Sequence, residues 1–264
     1  MSKPHSSTLT TEGLGIRFGA FQAVGDVTLT LEPGARQALI GPNGAGKTTL
    51  INLLTGVYRP SAGTIQMNGQ DITALACDQR ARMGLARTFQ INTLFPSLTP
   101  LLSVVLAISE REGLGAVWWR PLTRHTALFD EAHALLGRLK LDALANVPVA
   151  ELAYGKQRLL EIALAMAARP RILLLDEPAA GVPEDESGEL FEAIAELPQD
   201  ISVLFIEHDM KLVFRFSRRI SVLLAGQILT EGTPAEIGTD PRVREVYLGH
   251  GSSHHAPTAE VAHG

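Results

Sequence analysis

Apolar and polar residues alternate over Val27, Leu29 and Leu31 before Pro33-Gly34, the pattern of a half-buried strand that ends in a turn. Ala38-Leu39-Ile40 is a short apolar run leading into a glycine-rich turn, and Lys47 to Thr55 then reads as a helix closed by Gly56. Thr64-Ile65-Gln66-Met67 followed by Asn68-Gly69 predicts one arm of a hairpin. From about Ile91 to Ala153 the strand signals fade. Helical stretches replace them at Leu101–Ser109 and Thr126–Leu141, with a further one at Gly155–Ala168, and residues 113–121 between the first two read as a loop or insertion. Beyond them, Ile172–Leu175 is continuously apolar, as a parallel strand buried on both faces requires, and Ile201–Ile206 and Ile220–Leu224 repeat that signal. Between these, Glu184–Leu197 sets Leu190, Phe191, Ile194 and Leu197 on one helical side. Strands alternating with helices predict an α/β fold with a parallel sheet and right-handed crossovers, into which the middle third inserts as a helical subdomain.

Composition narrows the function classes. The chain has 264 residues, of which 45% are hydrophobic and 19% charged, so it can fill a sizeable core. Its net charge of −5 disfavours tight electrostatic binding of nucleic acid. A single cysteine, Cys77, excludes an internal disulfide framework, suits a reducing compartment and reads as an inert thiol. Residues 1–10 lack the apolar region of a secretory signal, and Leu98–Ile108, interrupted by Pro100, falls short of the ~20 residues a spanning helix needs. A soluble chain able to dock on a membrane protein is expected. The stretch from Gly249 onward, with His250, His254, His255 and His263, reads as a solvated, disordered tail rather than a metal site, because no acid or cysteine spacing completes one.

Gly41-Pro42-Asn43-Gly44-Ala45-Gly46-Lys47-Thr48, continuing into Thr49, matches the phosphate-binding loop pattern at every fixed position. Its glycines let successive backbone N–H groups turn inward around an anion, and the following helix adds its dipole. Lys47 would reach the β- and γ-phosphates of ATP, and the Thr48 hydroxyl would ligate Mg²⁺. The second half is Ile172-Leu-Leu-Leu-Asp176-Glu177-Pro178, which sets two acids at the carboxyl end of a buried strand. Asp176 is expected to hold Mg²⁺, and Glu177 to orient or deprotonate the attacking water.

Leu152-Ala153-Tyr154-Gly155-Lys156-Gln157 opens a helix about twenty residues before Asp176. With this segment added, the chain resembles the ATP-binding-cassette (ABC) ATPase family from roughly Leu9 to Leu248. The resemblance implies a P-loop NTPase fold, with a RecA-like parallel sheet core, an antiparallel β subdomain and an inserted helical subdomain. The expected boundaries are a tail at 1–8, the ATP-binding core at 9–90 and 160–248, the helical subdomain with the signature motif at 91–159, and the tail at 249–264. It further implies that Tyr154, Gly155 and Gln157 contact ATP held by a partner subunit. Gln90 is implied as a Mg²⁺ and coupling residue, His208 as the switch histidine at the γ-phosphate, and Phe18 as the aromatic stacking on adenine. Two departures stand out. Ala153 replaces the signature serine, and Ala179-Ala180-Gly181-Val182 lacks the D-loop aspartate.

Within the family, Ala86-Arg-Thr-Phe-Gln90, Leu152-Ala-Tyr-Gly155, Glu177-Pro-Ala-Ala-Gly181, Glu207-His-Asp-Met-Lys-Leu-Val213 and Tyr247-Leu-Gly249 look like the ATPase of bacterial branched-chain amino-acid importers. That branch implies a second ABC ATPase, identical or different, below two membrane-spanning permeases, and a periplasmic substrate-binding protein. The chain would then sit in the cytoplasm on the inner membrane face. The groove receiving the permease is expected around Leu94–Ser109, with Trp118 and Trp119 either at an interface or packed on their own domain. Rival readings keep the cassette but change the cargo, to urea, aromatic compounds or a lipid-linked polymer. Another is a soluble ABC ATPase with no transport role.

Overall fold

The computed structural model describes residues 8–88, 94–114 and 125–248. Gln90, Trp118, Trp119, residues 1–7 of the expected tail at 1–8 and the whole expected tail at 249–264 lie outside the described residues. Two sheets form the frame. Strands β1 (Leu9–Phe18), β2 (Phe21–Leu31), β4 (Ala62–Met67) and β5 (Gln70–Asp71) make an antiparallel sheet in the order β2-β1-β4-β5. Strands β3 (Arg36–Ile40), β6 (Leu85–Arg87), β7 (Ile172–Asp176), β8 (Ser202–Ile206), β9 (Arg219–Leu224) and β10 (Gln227–Gly232) make the second, ordered β10-β9-β3-β8-β7-β6. The β4–β5 hairpin turns at Asn68-Gly69, both at positive φ (54° and 77°), as a two-residue turn matching strand twist requires.

The second sheet is parallel from β9 through β6. Its edge departs from the all-parallel expectation, because Ala225 and Gly226, at φ 48° and 79°, reverse the chain and pair β10 antiparallel to β9. Every residue of β3 and β8 is buried. Period-two alternation sends Leu173 and Leu175 of β7 to one face and Ile172 and Leu174 to the other, and the two faces belong to separate cores.

The first core lies under the helices α3 (Pro100–Arg111), α4 (Thr126–Arg138), α5 (Tyr154–Ala167), α6 (Glu184–Ala195) and α7 (Met210–Phe216). The second lies between the parallel sheet, the antiparallel sheet and α1 (Lys47–Thr55), which buries Leu50, Ile51, Leu53 and Leu54. Short helices α2 (Cys77–Arg82), α8 (Pro234–Thr239) and α9 (Pro241–Leu248) complete the order. Helix α4 stops at Arg138 rather than running to Leu141. Lys140 takes a left-handed φ of 56°, and the Leu141 N–H turns back to Leu136 O at 2.9 Å. Helix α5 runs unbroken across the expected boundary at 159/160. Among the described residues no helix is long and apolar enough to cross a membrane.

One buried cation pins α1. Arg80 donates to Leu53 O and Leu54 O, each at 2.7 Å, and to Leu75 O and Thr73 O, each at 3.0 Å. It thereby holds the carboxyl end of α1 and the segment after β5 on one side chain. Arg80→Met leaves those carbonyls without a donor and is expected to lower the unfolding free energy by about 2–4 kcal/mol. Urea denaturation checks this, and an unchanged midpoint would overturn the role.

Candidate functional site

The loop Gly41–Gly46 leaves the end of β3 and enters α1, whose N-cap is Gly46, a residue with no side chain to satisfy the amides of the first turn. Backbone contacts wedge the loop in place. Gly226 N donates to Ala45 O at 2.9 Å, and Gly25 N donates to Gly226 O at 2.8 Å, so the β9–β10 turn bridges the loop to β2. Gly46 has φ 102°, and a Cβ there would lie 2.5 Å from Ala23 O. A Cβ on Gly41 would collide with Leu223 O. Only glycine tolerates such approach.

Above the loop lies a cavity of about 330 Å³ lined by Phe21, Ala23, residues 43–49 and Glu177. Lys47 is 8% exposed, and its ammonium donates to Gly41 O at 2.7 Å and Pro42 O at 3.1 Å, both in its own loop. Burial pushes its pKa down, and the negative charges of Glu177 and Asp176 oppose that shift. The Ala45 amide is taken by Pro42 O at 3.1 Å, and among the described residues no carboxylate pairs with the desolvated Lys47 ammonium, so a glycine-rich helix start beside that cation makes a fitting seat for a polyphosphate. The Thr48 hydroxyl and the Asp176 carboxylate are the hard oxygen donors that Mg²⁺ takes.

Asp176 ends β7 and is bound by Arg87, Nη2 to Oδ2 at 2.7 Å, while Arg87 Nη1 reaches Asn52 Oδ1 at 2.6 Å. Glu177 follows at a left-handed φ of 50°, its N–H donating to Ile206 O at 3.1 Å. Strand β8 lies between β3 and β7, so the residues after Ile206 emerge beside Glu177. There Glu207 is 1% exposed and accepts from Ala179 N at 2.9 Å and His208 N at 3.2 Å. Burial, with Glu177's charge as the smallest contribution, raises its pKa against those hydrogen bonds. The His208 side chain is 68% exposed and is not among the residues lining the cavity.

The structure divides the remaining expected residues. Phe18 packs edge-to-face on Tyr58, with ring centroids 5.4 Å apart. Phe21, paired with it across the hairpin, is the aromatic on the cavity wall. Tyr154, Gly155 and Gln157 line a different place, at the start of α5. Gly155 N donates to Glu186 Oε2 at 3.0 Å, and Lys156 pairs with Glu189 at 2.7 Å. The Tyr154 hydroxyl accepts from Arg158 Nη2 at 3.1 Å, and a Cβ on Gly181 would press on its ring. Gln157 turns its amide inward, donating to Leu152 O at 3.0 Å and Val149 O at 3.3 Å, so it braces the turn before the helix. Sequence reasoning missed Phe21, Asn52, Arg87, Glu186 and Glu207 as site residues. Arg87 and Glu207 stand inside segments quoted above. Glu186 had no local signal, since its partner is 31 residues away.

Comparison with known proteins identifies the family and the fold. A family model described as ABC transporter matches residues 24–180, and one described as branched-chain amino acid ATP-binding cassette transporter matches residues 227–252. The chain is 44% identical over 256 residues to the high-affinity branched-chain amino acid transport ATP-binding protein LivG of Escherichia coli (strain K12), covering 94% of this chain and 99% of LivG. It is 42% identical over 257 residues to BraF, the protein of the same description from Pseudomonas aeruginosa, with the same coverage. Among solved structures, the ADP conformation of MJ1267, an ATP-binding cassette of an ABC transporter, superposes with a TM-score of 0.81 at 31% identity, covering 92% of this chain and 99% of that one.

Gly46→Ala tests the loop. The left-handed backbone and the contact with Ala23 O together are expected to cost about 2 kcal/mol or more. A fluorescent ATP analogue should bind at least about tenfold more weakly, which is ~1.4 kcal/mol. Wild-type affinity would overturn the reading of a close-packed cradle.

Proposed function

The chain belongs to the ABC transporter ATPase family, and from that premise we propose that it is the ATP-hydrolysing subunit of a bacterial importer for branched-chain amino acids or closely related small molecules. One observation supports the catalytic part most directly. Glu177, one residue past the end of β7, lines the same cavity as the phosphate-binding loop.

In this reading the amides of Gly44, Gly46, Lys47 and Thr48 receive the phosphates, and Lys47 exchanges its loop carbonyls for β- and γ-phosphate oxygens. Thr48, Asp176 and Gln90 would hold Mg²⁺, which supplies neutralising charge at the β- and γ-oxygens. Arg87 orients the Asp176 carboxylate and Asn52 in turn orients Arg87. Glu177 takes a proton from the attacking water, and the exposed His208 completes the γ-phosphate contacts. Phe18 and Phe21, 47% and 65% exposed at the tip of the β1–β2 hairpin, offer the apolar faces against which adenine stacks.

A second ABC ATPase, identical or homologous, would bring its own ATP to the start of α5. There the Gly155 amide, with Tyr154 beside it, contacts that nucleotide, and Gln157 acts by shaping the preceding turn. ATP shared between two subunits stabilises the closed pair, and hydrolysis reopens it. Permease subunits would hold the pair on the inner face of the cell membrane, with a periplasmic binding protein delivering cargo. Phe95, Leu102 and Leu106 support docking near residues 94–109, because all three are exposed and the last two share one face of α3.

Glu177→Gln keeps size and hydrogen-bonding capacity but removes the base. The turnover number is expected to fall by 10²–10⁴, roughly, with nucleotide affinity unchanged. A loss below about tenfold in steady-state phosphate release would overturn the base role. The double change Leu102→Glu and Leu106→Glu should abolish co-purification with the permease and leave the isolated chain's ATP affinity intact. Retained assembly would remove α3 from the interface.

A further inference from the structure

Glu207 is the most deeply enclosed carboxylate at this end of the sheet, and the mechanism above leaves it without a task. At 1% exposure an acid is costly to bury unless specific contacts offset the loss of water. Among the described residues no lysine or arginine pairs with it. Its nearest ionisable partner is His208, whose Nδ1 lies 3.8 Å from Oε2. Its two oxygens instead serve two different loops. Oε1 accepts from the amide of Ala179, two residues past Glu177, and Oε2 accepts from the amide of His208. A third bond runs alongside, from Glu177 N to Ile206 O. Glu177 itself holds a left-handed φ of 50°, which a glutamate adopts only where its surroundings enforce it.

We propose that Glu207 is a positioning residue that locks the turn carrying Glu177 and the turn carrying His208 into one rigid frame. The inference rests on the roles assigned above to those two residues and adds a determinant to them. A carboxylate suits the task because both of its oxygens accept, whereas an amide side chain offers one acceptor for two donors. Glu177's charge, which helps to raise the pKa of Glu207, fits a close approach of the two acids.

The test uses the full chain and two variants. Glu207→Gln fills the same volume and keeps one acceptor, while Glu207→Ala removes both. Native-state amide exchange followed by NMR should show the Ala179 or the His208 amide exchanging at least about tenfold faster in Glu207→Gln, since an amide that loses its buried acceptor opens more readily. The turnover number should fall about tenfold in Glu207→Gln and about a hundredfold in Glu207→Ala, the scale expected when a reacting group is displaced by about an ångström. Binding of a fluorescent ATP analogue should stay within about twofold, because the phosphate loop is untouched. Unchanged exchange at both amides in Glu207→Gln overturns the proposal. So does a turnover number within about twofold of wild type in that variant, or a loss of affinity in step with turnover. If Glu207→Ala does not fold, Glu207→Gln decides alone. Wild-type protein without turnover would instead refute the catalytic roles of Glu177 and His208, an outcome that amide exchange separates from this one.

Discussion

The site depends on a three-way backbone junction at the phosphate loop. Ala45 O, Gly226 and Gly25 N form a chain of two hydrogen bonds that ties the loop to the β9–β10 turn and to β2. Neither sheet alone would fix the loop. The parallel sheet supplies its entry strand β3 and the antiparallel sheet supplies the backbone against which Gly46 is pressed. Glycine at 41, 46 and 226 is what lets three backbones meet at this density, since a Cβ at any of them would strike a neighbouring carbonyl.

Stability and chemistry are linked through the strand ends. The apolar runs of β3, β7 and β8 are buried on both faces, so their register is set by two cores at once. That register aligns Asp176 with Ile206 and delivers Glu177 and Glu207 side by side. Buried arginines act as anchors away from the reacting centre. Arg80 holds the far end of α1, and Arg36 donates to Ile201 O at 2.6 Å and Leu197 O at 2.7 Å, fixing the chain that enters β8.

Much of this was legible in the sequence because the signals were local. The alternation at Val27–Leu31, the closing glycine of α1 and the Asn68-Gly69 turn each carry their own physics within a few residues. The two acids at the end of β7, Asp176 and Glu177, were legible for the same reason. What escaped depends on distance along the chain. The β10 edge is set by an Ala-Gly turn that gives little warning of antiparallel pairing. The end of α4 is set by a lysine, not a glycine, in the left-handed region. Arg87 reads as one more basic residue until the fold places it 2.7 Å from Asp176. Phe18 and Phe21 cannot be told apart by spacing alone, since the hairpin presents both at its tip.

The acid at position 186 gives the signature helix a resident anion. Its carboxylate already holds the Gly155 amide from across a 31-residue separation. On the proposed reading, a phosphate brought there by a second subunit would have to displace it, so engagement would be a ligand exchange rather than an addition. The net drive would then be the difference between two anion contacts, small even where each is strong. A helix that trades one oxygen for another can let go as readily as it grasps, which is what a cyclic machine requires of it.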